Sequence, residues 1–277
     1  MIKKEKQNLL NVWDKVAPTF GKIGPIYWQK FGSRLVELSR MNKGEKILDI
    51  GVGRGASLFP AINKIGKEGY VVGIDTSEVM VSETYKDIVK QKIDNAKVIK
   101  MNAQTLEFDD DFFDNVICGF GMGYLLYSDC KLTEIIRVLK KEGQVGFSIW
   151  ALQEDQKWLT EIVNKYLHTD SSNQNNNKKS DLPKFDTAKD VRKILEDAGL
   201  RNVNIYKENA DVNYTTKEQW WEEMWSNAVR AVFEAVEELG DDKFKEFKVE
   251  VFNGLEKYKK LDGLHFNMPV IYAFGEK

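Results

Sequence analysis

The chain has 277 residues, 42% of them hydrophobic, which suits one large α/β domain with an insertion, or two domains at most. Forty-one basic residues oppose 43 acidic ones for a formal charge of -2, with an isoelectric point near 5.9. No global positive field exists to draw nucleic acid or an anionic membrane, and a small neutral or mixed partner is favoured.

Met1 to Leu10 is basic and polar, with no apolar stretch of signal-peptide length, and no later segment approaches the roughly 20 apolar residues of a membrane span. A cytoplasmic protein is expected. Before the first strand, Leu9, Trp13, Val16 and Phe20, then Phe31, Leu35, Leu38 and Met41, recur at helical steps and predict two amphipathic helices. Gly21, Gly24 and Pro25 separate them, and Asn42-Lys43-Gly44 ends the second. From Lys46 onward, strand-like runs alternate with helical lengths: Lys46–Ile50, Tyr70–Ile74, Ala96–Met101, Asn115–Gly119 and Gln144–Trp150. That alternation predicts a parallel sheet with helices on both faces. A helix through Trp158, Ile162 and Leu167 follows, then the polar tract Thr169 to Ser180, whose asparagines suit a surface loop. Thr187 to Ala198 predicts a helix ended by Gly199, and Val203–Tyr206 a strand. Two more helices are expected, one with Trp221, Trp225, Ala228, Val232 and Val236 on a face and one with Phe244, Phe247, Val251 and Leu255. Met268–Phe274 closes the chain as a strand. Cys118 lies in an apolar run and suits buried packing; with Cys130, His168 and His265 scattered, no metal-ligand spacing exists and no metal is expected.

The stretch Ile47-Leu48-Asp49-Ile50-Gly51-Val52-Gly53-Arg54-Gly55 puts three glycines at a strand-to-helix turn. Glycine permits φ > 0 there and lets a nucleoside with a charged tail approach the backbone. Asp75 ends the second strand, where a carboxylate can accept hydrogen bonds from both ribose hydroxyls. The glycines alone do not choose the cofactor, since Gly51, Gly53 and Ala56 with a downstream acid also satisfy the dinucleotide pattern. Three features favour S-adenosylmethionine (SAM). Asp49 can face an ammonium but would repel a pyrophosphate. A helical leader, able to fold over the cofactor as a lid, precedes the first strand. Asn102-Ala103 ends the third strand with an amide suited to the Watson–Crick edge of adenine.

The run from Val12-Trp13-Asp14-Lys15-Val16-Ala17-Pro18 to Trp150 resembles the UbiE-like class I SAM-dependent methyltransferases, the type associated with ubiquinone and menaquinone biosynthesis. The resemblance covers about half the chain. It implies that Asp49 to Gly55 is the first motif, Asp75 the ribose-binding acid and Asn102-Ala103 the adenine-binding pair. Phe112-Phe113-Asp114-Asn115-Val116-Ile117 would be the fourth-strand motif, and Arg137 to Gly143 the turn before the fifth strand. Val52 to Ala56 with Leu58-Phe59-Pro60, and Gly263-Leu264-His265, are more similar to a less characterised bacterial subgroup. The chain departs from the family pattern at Asn102, usually aspartate, at Lys140-Lys141-Glu142-Gly143, usually Lys-Pro-Gly-Gly, and at Phe20, commonly tyrosine.

The fold implied is α/β: a Rossmann-like, seven-stranded class I methyltransferase sheet with an antiparallel last strand. Residues 1–43 would form a helical lid and 44–151 the SAM-binding core. Residues 152–277 would complete the sheet, with cap insertions at 152–185 and 213–262. The expected cofactor-binding set is Asp49, Gly51, Gly53, Arg54, Gly55, Asp75, Thr76, Met80, Asn102, Ala103 and Phe120. Phe20, Tyr27, Tyr124, Trp150, Trp221 and Trp225 are candidates for an acceptor pocket, while plain core packing stands beside that role for Phe120, Met122, Trp221 and Trp225. Methyl transfer is an in-line displacement from an activated sulfonium, and positioning supplies about 7–11 kcal/mol. No fixed catalytic group is therefore required.

Gly119-Phe120-Gly121-Met122-Gly123-Tyr124 stands where base- and amide-methylating enzymes carry an Asn/Asp-Pro-Pro-Tyr turn, so a small-molecule acceptor is expected and nucleic acid is not. A macromolecular acceptor (RNA or protein) and a non-catalytic SAM-binding role are the alternatives, and the protein is expected to be a monomer or homodimer. His265 precedes the last strand, at the edge where the parallel strands end, and is the candidate general base.

Overall fold

The computed structural model describes residues 11–126, 132–167 and 184–277; Met1–Leu10, Cys130, His168 and the asparagine-rich tract lie outside the described residues. Among the described residues two compact units form, one of residues 26–126, 132–152, 184–208 and 269–277, the other of 11–25, 153–167 and 209–268.

The first unit is built on the sheet. Strands β1 (Lys46–Ile50), β2 (Tyr70–Asp75), β3 (Ala96–Lys100), β4 (Phe113–Gly119), β5 (Leu139–Trp150), β6 (Arg201–Tyr214) and β8 (Gly263–Glu276) run in the order β3-β2-β1-β4-β5-β8-β6, and the two-residue β7 (Lys259–Lys260) pairs with β8 as an eighth strand. β3 to β5 pair in parallel, and β8 runs antiparallel to β5 from Trp150↔Val270 to Gln144↔Glu276. The central strands are largely apolar because helices cover both faces: Ile47, Leu48, Val71, Val72, Val116, Ile117, Val145 and Phe147 are all buried.

After the helical residues 11–16 (α1) come α2 (Tyr27–Leu38), α3 (Leu58–Ile65), α4 (Glu78–Lys90), α5 (Met122–Leu126) and α6 (Thr133–Val138). α3 buries Leu58, Ala61, Ile62 and Ile65, a single face at helical spacing. α4 starts where Ser77 Oγ accepts the N–H of Met80 at 3.0 Å. Lys64, in the last turn of α3, donates to Val36 O and Ser39 O at 2.7 Å each and so binds the carbonyls at the C-terminal end of α2. Gly32 of α2 sits directly on the chain entering α3: a Cβ there would stand 2.2 Å from Ala56 O.

The second unit contains α7 (Lys157–Leu167), α9 (Lys217–Trp225), α10 (Arg230–Glu237), α11 (Asp241–Gly254), the outer parts of β6 and β8, and β7; α8 (Ala188–Asp197), capped by Thr187, belongs to the sheet unit. Its centre is aromatic, with Trp221 stacked on Phe233 at 4.6 Å between ring centroids and Phe247 fully buried. Where one helix is predicted from Trp221 to Val236, two form. The break comes at Ser226 and Asn227: Ser226 Oγ donates to Glu222 O at 3.0 Å and Asn227 Oδ1 accepts the N–H of Val229 at 2.8 Å. These side chains compete with the helical ladder for backbone groups. No helix among the described residues is long and apolar enough to cross a membrane.

The Gly32 contact yields a stability prediction. Gly32→Ala sets its new Cβ 2.2 Å from the backbone oxygen of Ala56, and overpacking of this kind costs about 1–3 kcal/mol; a lower denaturant midpoint with an unchanged m-value is expected, and an unchanged midpoint would refute the close approach.

Candidate functional site

All three glycines of the turn after β1 adopt left-handed backbone, with φ of 68° at Gly51, 47° at Gly53 and 77° at Gly55. They differ in what surrounds them. A Cβ on Gly51 would meet nothing within 4 Å, and one on Gly53 only Gly51 O at 3.9 Å. A Cβ on Gly55 would run into the Phe59 ring at 2.5 Å. Gly55 therefore serves packing, while Gly51 and Gly53 expose backbone to open space.

Asp75 holds the turn in place. Its Oδ2 accepts the N–H of Gly53 and its Oδ1 the N–H of Ser77, both at 2.9 Å. The carboxylate is half-buried. Two contacts absent from the sequence expectations reinforce the clamp. Thr84 Oγ1 donates to Gly53 O at 2.6 Å, and Arg54, expected among the cofactor residues, turns its buried side chain toward α4, against Asp87 and, at 3.7 Å, Glu83. Thr76 is exposed and Met80 buried beside this clamp.

Asp49 is fully buried. Ser57 Oγ donates to its Oδ2 at 2.7 Å, whereas Oδ1 has no partner. Burial pushes this carboxyl up to about 7; the Ser57 hydrogen bond opposes the shift and the charge of Asp75 adds to it. Ser57 carries no motif signature, and its hydroxyl meets Asp49 only because the turn folds back. Asn102 is exposed, with Oδ1 accepting the N–H of Gln104 at 3.0 Å, next to buried Ala103.

Beyond β4 and β5 lies an aromatic group. Phe120 has φ of 55°, an uncommon conformation for a bulky residue. Its N–H is bound to Ser148 O at 2.9 Å, and its ring lies 4.2 Å from Trp150 and 5.4 Å from Trp28. Phe31 contacts Phe120 and Trp150 at 5.7 and 5.5 Å, and Tyr27 contacts Phe31 at 5.7 Å. Tyr27 is buried and Tyr124 exposed. The neighbouring Cys118 is fully buried, which pushes its thiol far up and leaves it unreactive.

The remaining candidates belong to the second unit. Phe20 meets Trp13 edge-on at 5.6 Å, and Trp221 and Trp225 sit within the aromatic core, each against Phe233. His265 has both ring nitrogens engaged, Nδ1 with Asp211 Oδ2 at 2.7 Å and Nε2 with Asp262 Oδ1 at 2.9 Å. A general base needs an open nitrogen lone pair, and this ring offers none.

A glycine turn braced by an acid at the carboxyl ends of parallel strands, in a sheet closed by an antiparallel strand, defines a Rossmann-like nucleotide-binding fold of the class I methyltransferase type. The chain belongs to the ubiE/COQ5 methyltransferase family, whose model matches residues 4–216. Over 143 residues it is 32% identical to the aklanonic acid methyltransferase DauC of Streptomyces sp. (strain C5), covering 52% of this chain and 65% of that protein. Over 153 residues it is 29% identical to a demethylmenaquinone methyltransferase of Listeria monocytogenes, covering 53% and 63%. The matches thus span just under two thirds of these relatives' own length. Among solved structures, the YcgJ protein of Bacillus subtilis superimposes with a TM-score of 0.57 at 19% identity, covering 90% of this chain and 98% of that one. The cyclase SpnF does so with a TM-score of 0.56 at 18% identity, covering 98% and 93%. At these identities the likeness shows the fold alone.

The His265 arrangement predicts a pH dependence of stability. The hydrogen bonds to Asp211 and then Asp262 raise the imidazole above its ordinary 6.5, so the stability it contributes is complete below that value and is lost as pH rises through the higher folded-state value. Unfolding followed from pH 6 upward should show a decline that His265→Gln flattens; identical pH profiles for the two proteins would refute a charged bridge.

Proposed function

We propose that the protein is a SAM-dependent methyltransferase acting on a small-molecule acceptor. One observation carries this most directly: a fully buried carboxylate, Asp49, has an unpartnered oxygen at the head of the glycine turn. A buried acid left half-satisfied is costly unless a donor or cation completes it, and the ammonium of SAM does so where a pyrophosphate would be repelled. The comparisons support the same direction, since the relatives at 32% and 29% identity are named for methylation of aklanonic acid and demethylmenaquinone, both small molecules. The fold alone does not carry it, because a cyclase shares the fold.

SAM supplies an electrophilic methyl on a sulfonium. The chain's own residues bind and orient. Asp75 takes the ribose hydroxyls, Asn102 and Ala103 the adenine edge, and the open backbone at Gly51 and Gly53 lets the tail lie against the turn. Phe120, Trp150, Trp28 and Phe31 keep water from the carboxyl ends of β4 and β5 and give the acceptor an apolar surface, with Tyr27 behind them. Trp221 and Trp225 are assigned to the stability of their own unit, and His265 is assigned no proton transfer.

Calorimetry should show SAM binding in the micromolar range and no NAD(H) binding; the reverse would sink the proposal, and release of S-adenosylhomocysteine across an acceptor screen tests turnover. Asp75→Ala should weaken SAM binding by about 1.5–3 kcal/mol for each charge-assisted bond removed, and undiminished affinity would show the ribose assignment to be wrong. Because Asp49 titrates at about 7 in the free protein, SAM affinity should rise from about pH 5.5 to 7.5 and level off as the ligand's own amino group, ordinarily near 8, loses its proton. Asp49→Asn should abolish the acidic limb; its survival in that variant would remove Asp49 from the site.

A further inference from the structure

Two fully buried side chains of the sheet unit each hold a polar atom with no partner: Asp49, through Oδ1, and Ser148, through Oγ. The sheet register brings them to one place. Asp49 pairs with Ile117 across β1 and β4, and Gly119, two residues on, pairs with Ser148 across β4 and β5. Side chains two apart on a strand share a face, and so do paired positions, so Asp49, Gly119 and Ser148 all address the same side of the sheet. Gly119 has no side chain to put there. The point where its Cβ would stand lies 3.6 Å from Ser148 Oγ and 3.9 Å from Ser57 Oγ, and Ser57 Oγ in turn is 2.7 Å from Asp49 Oδ2. The gap left by Gly119 is thus rimmed by the hydroxyls of Ser148 and Ser57, with the Asp49 carboxylate one hydrogen bond behind.

The chemistry of this rim selects its guest. Ser57 has committed its hydrogen to Asp49 and presents lone pairs; Ser148 can present lone pairs too, and Asp49 carries the charge. Acceptors converging on a negative group call for a compact cation with several N–H donors, which an ammonium is. A lone water would satisfy the hydroxyls but could not compensate the ionised form of Asp49.

We infer that Ser148 is a positioning residue for the cofactor: with Ser57 and Asp49 it holds the α-amino group of the methionine tail of SAM in the gap beside Gly119, an assignment that rests on the function proposed above. Gly119 is then a specificity determinant, because any side chain would occupy the place of the amino group. Ser148 keeps its hydroxyl for the ligand, since in the free protein that hydroxyl has no bond to contribute to folding.

The test compares SAM with 5′-methylthioadenosine, which shares the adenosine and the sulfur but lacks the amino-acid tail, by calorimetry on three proteins. Ser148→Ala should raise the Kd for SAM about tenfold, equivalent to about 1.4 kcal/mol, and leave that for methylthioadenosine unchanged. Its melting temperature should equal or exceed that of the wild type; a fall would mark the hydroxyl as structural and overturn the inference. Gly119→Ala is the second probe. Its new Cβ meets its neighbours at ordinary contact distances, 3.6 and 3.9 Å, so the protein should fold, bind methylthioadenosine normally and lose SAM affinity at least as strongly. Undiminished SAM affinity in both variants would overturn the inference, as would equal losses for the two ligands. Wild-type protein that binds neither compound would overturn the proposed function and this assignment with it, whereas wild-type binding with unaffected variants removes only the assignment.

Discussion

The carboxylate of Asp75 ties together two chain segments that the pairing of β1 with β2 brings side by side. β1 is followed by a turn whose glycines have little conformational preference of their own, and β2 by the start of α4. By accepting Gly53 N–H and Ser77 N–H at 2.9 Å each, Asp75 fixes the turn against the helix. Thr84 and Arg54 then tie the same loop to the next turns of α4. Three residues with positive φ would otherwise sample many conformations, and ordering them on binding would weaken affinity. Here the ordering is completed during folding. The same carboxylate that can receive a ribose is the one that shapes the backbone the ribose would lie against.

This dual use explains why the glycine turn was legible in sequence and its supports were not. Gly51, Gly53 and Gly55 must be glycine for backbone reasons, and Asp75 ends an apolar run, so both stand out at fixed spacing. Thr84 and Ser57 act through single hydroxyls at positions where serine or threonine is unremarkable locally, and only the folded turn brings them to Gly53 O and Asp49. Arg54 looks like a ligand residue because it lies within the motif, but α4 presents Asp87 and Glu83 to it. The strands show the same division. β1, β2, β4 and β5 are buried on both faces and read as apolar runs. β6 extends over Arg201–Tyr214 with mostly exposed or half-buried side chains, so hydrophobic pattern reveals only Val203–Tyr206 in its first half. β8 starts at Gly263, five residues before the expected Met268, and there buried Leu264, Phe266 and Met268 alternate with His265 and Asn267, a period of two that an apolar run does not show.

His265 illustrates a further limit. Asp262, three residues earlier, is a neighbour that sequence offers; Asp211 comes from β6, and only strand pairing brings it to the ring. A histidine between two carboxylates is biased toward the cation, the form with no lone pair left to take a proton, whereas the same residue with one free nitrogen would suit a base. One partner, invisible in the local sequence, reverses the chemical meaning of the residue. The tryptophans follow a related logic: Trp221 and Trp225 share a helical face, and their stacking with Phe233, Phe244 and Phe247 uses that face for packing.

Asp49 shows how a site can carry a buried acid without a standing cost. An ionised carboxylate in an apolar interior is strongly disfavoured, and burial together with the charge of Asp75 brings its titration to about 7. Near neutral pH the free protein therefore holds this group protonated for much of the time, with Ser57 retaining a hydrogen bond in either state. On the proposed function, the arriving ammonium makes the ionised form favourable, and the proton leaves as the ligand enters. The charge then exists mainly when its partner is present. Binding and deprotonation become one linked event, so the neutrality of the empty site and the ionic grip of the filled one need no rearrangement of the fold.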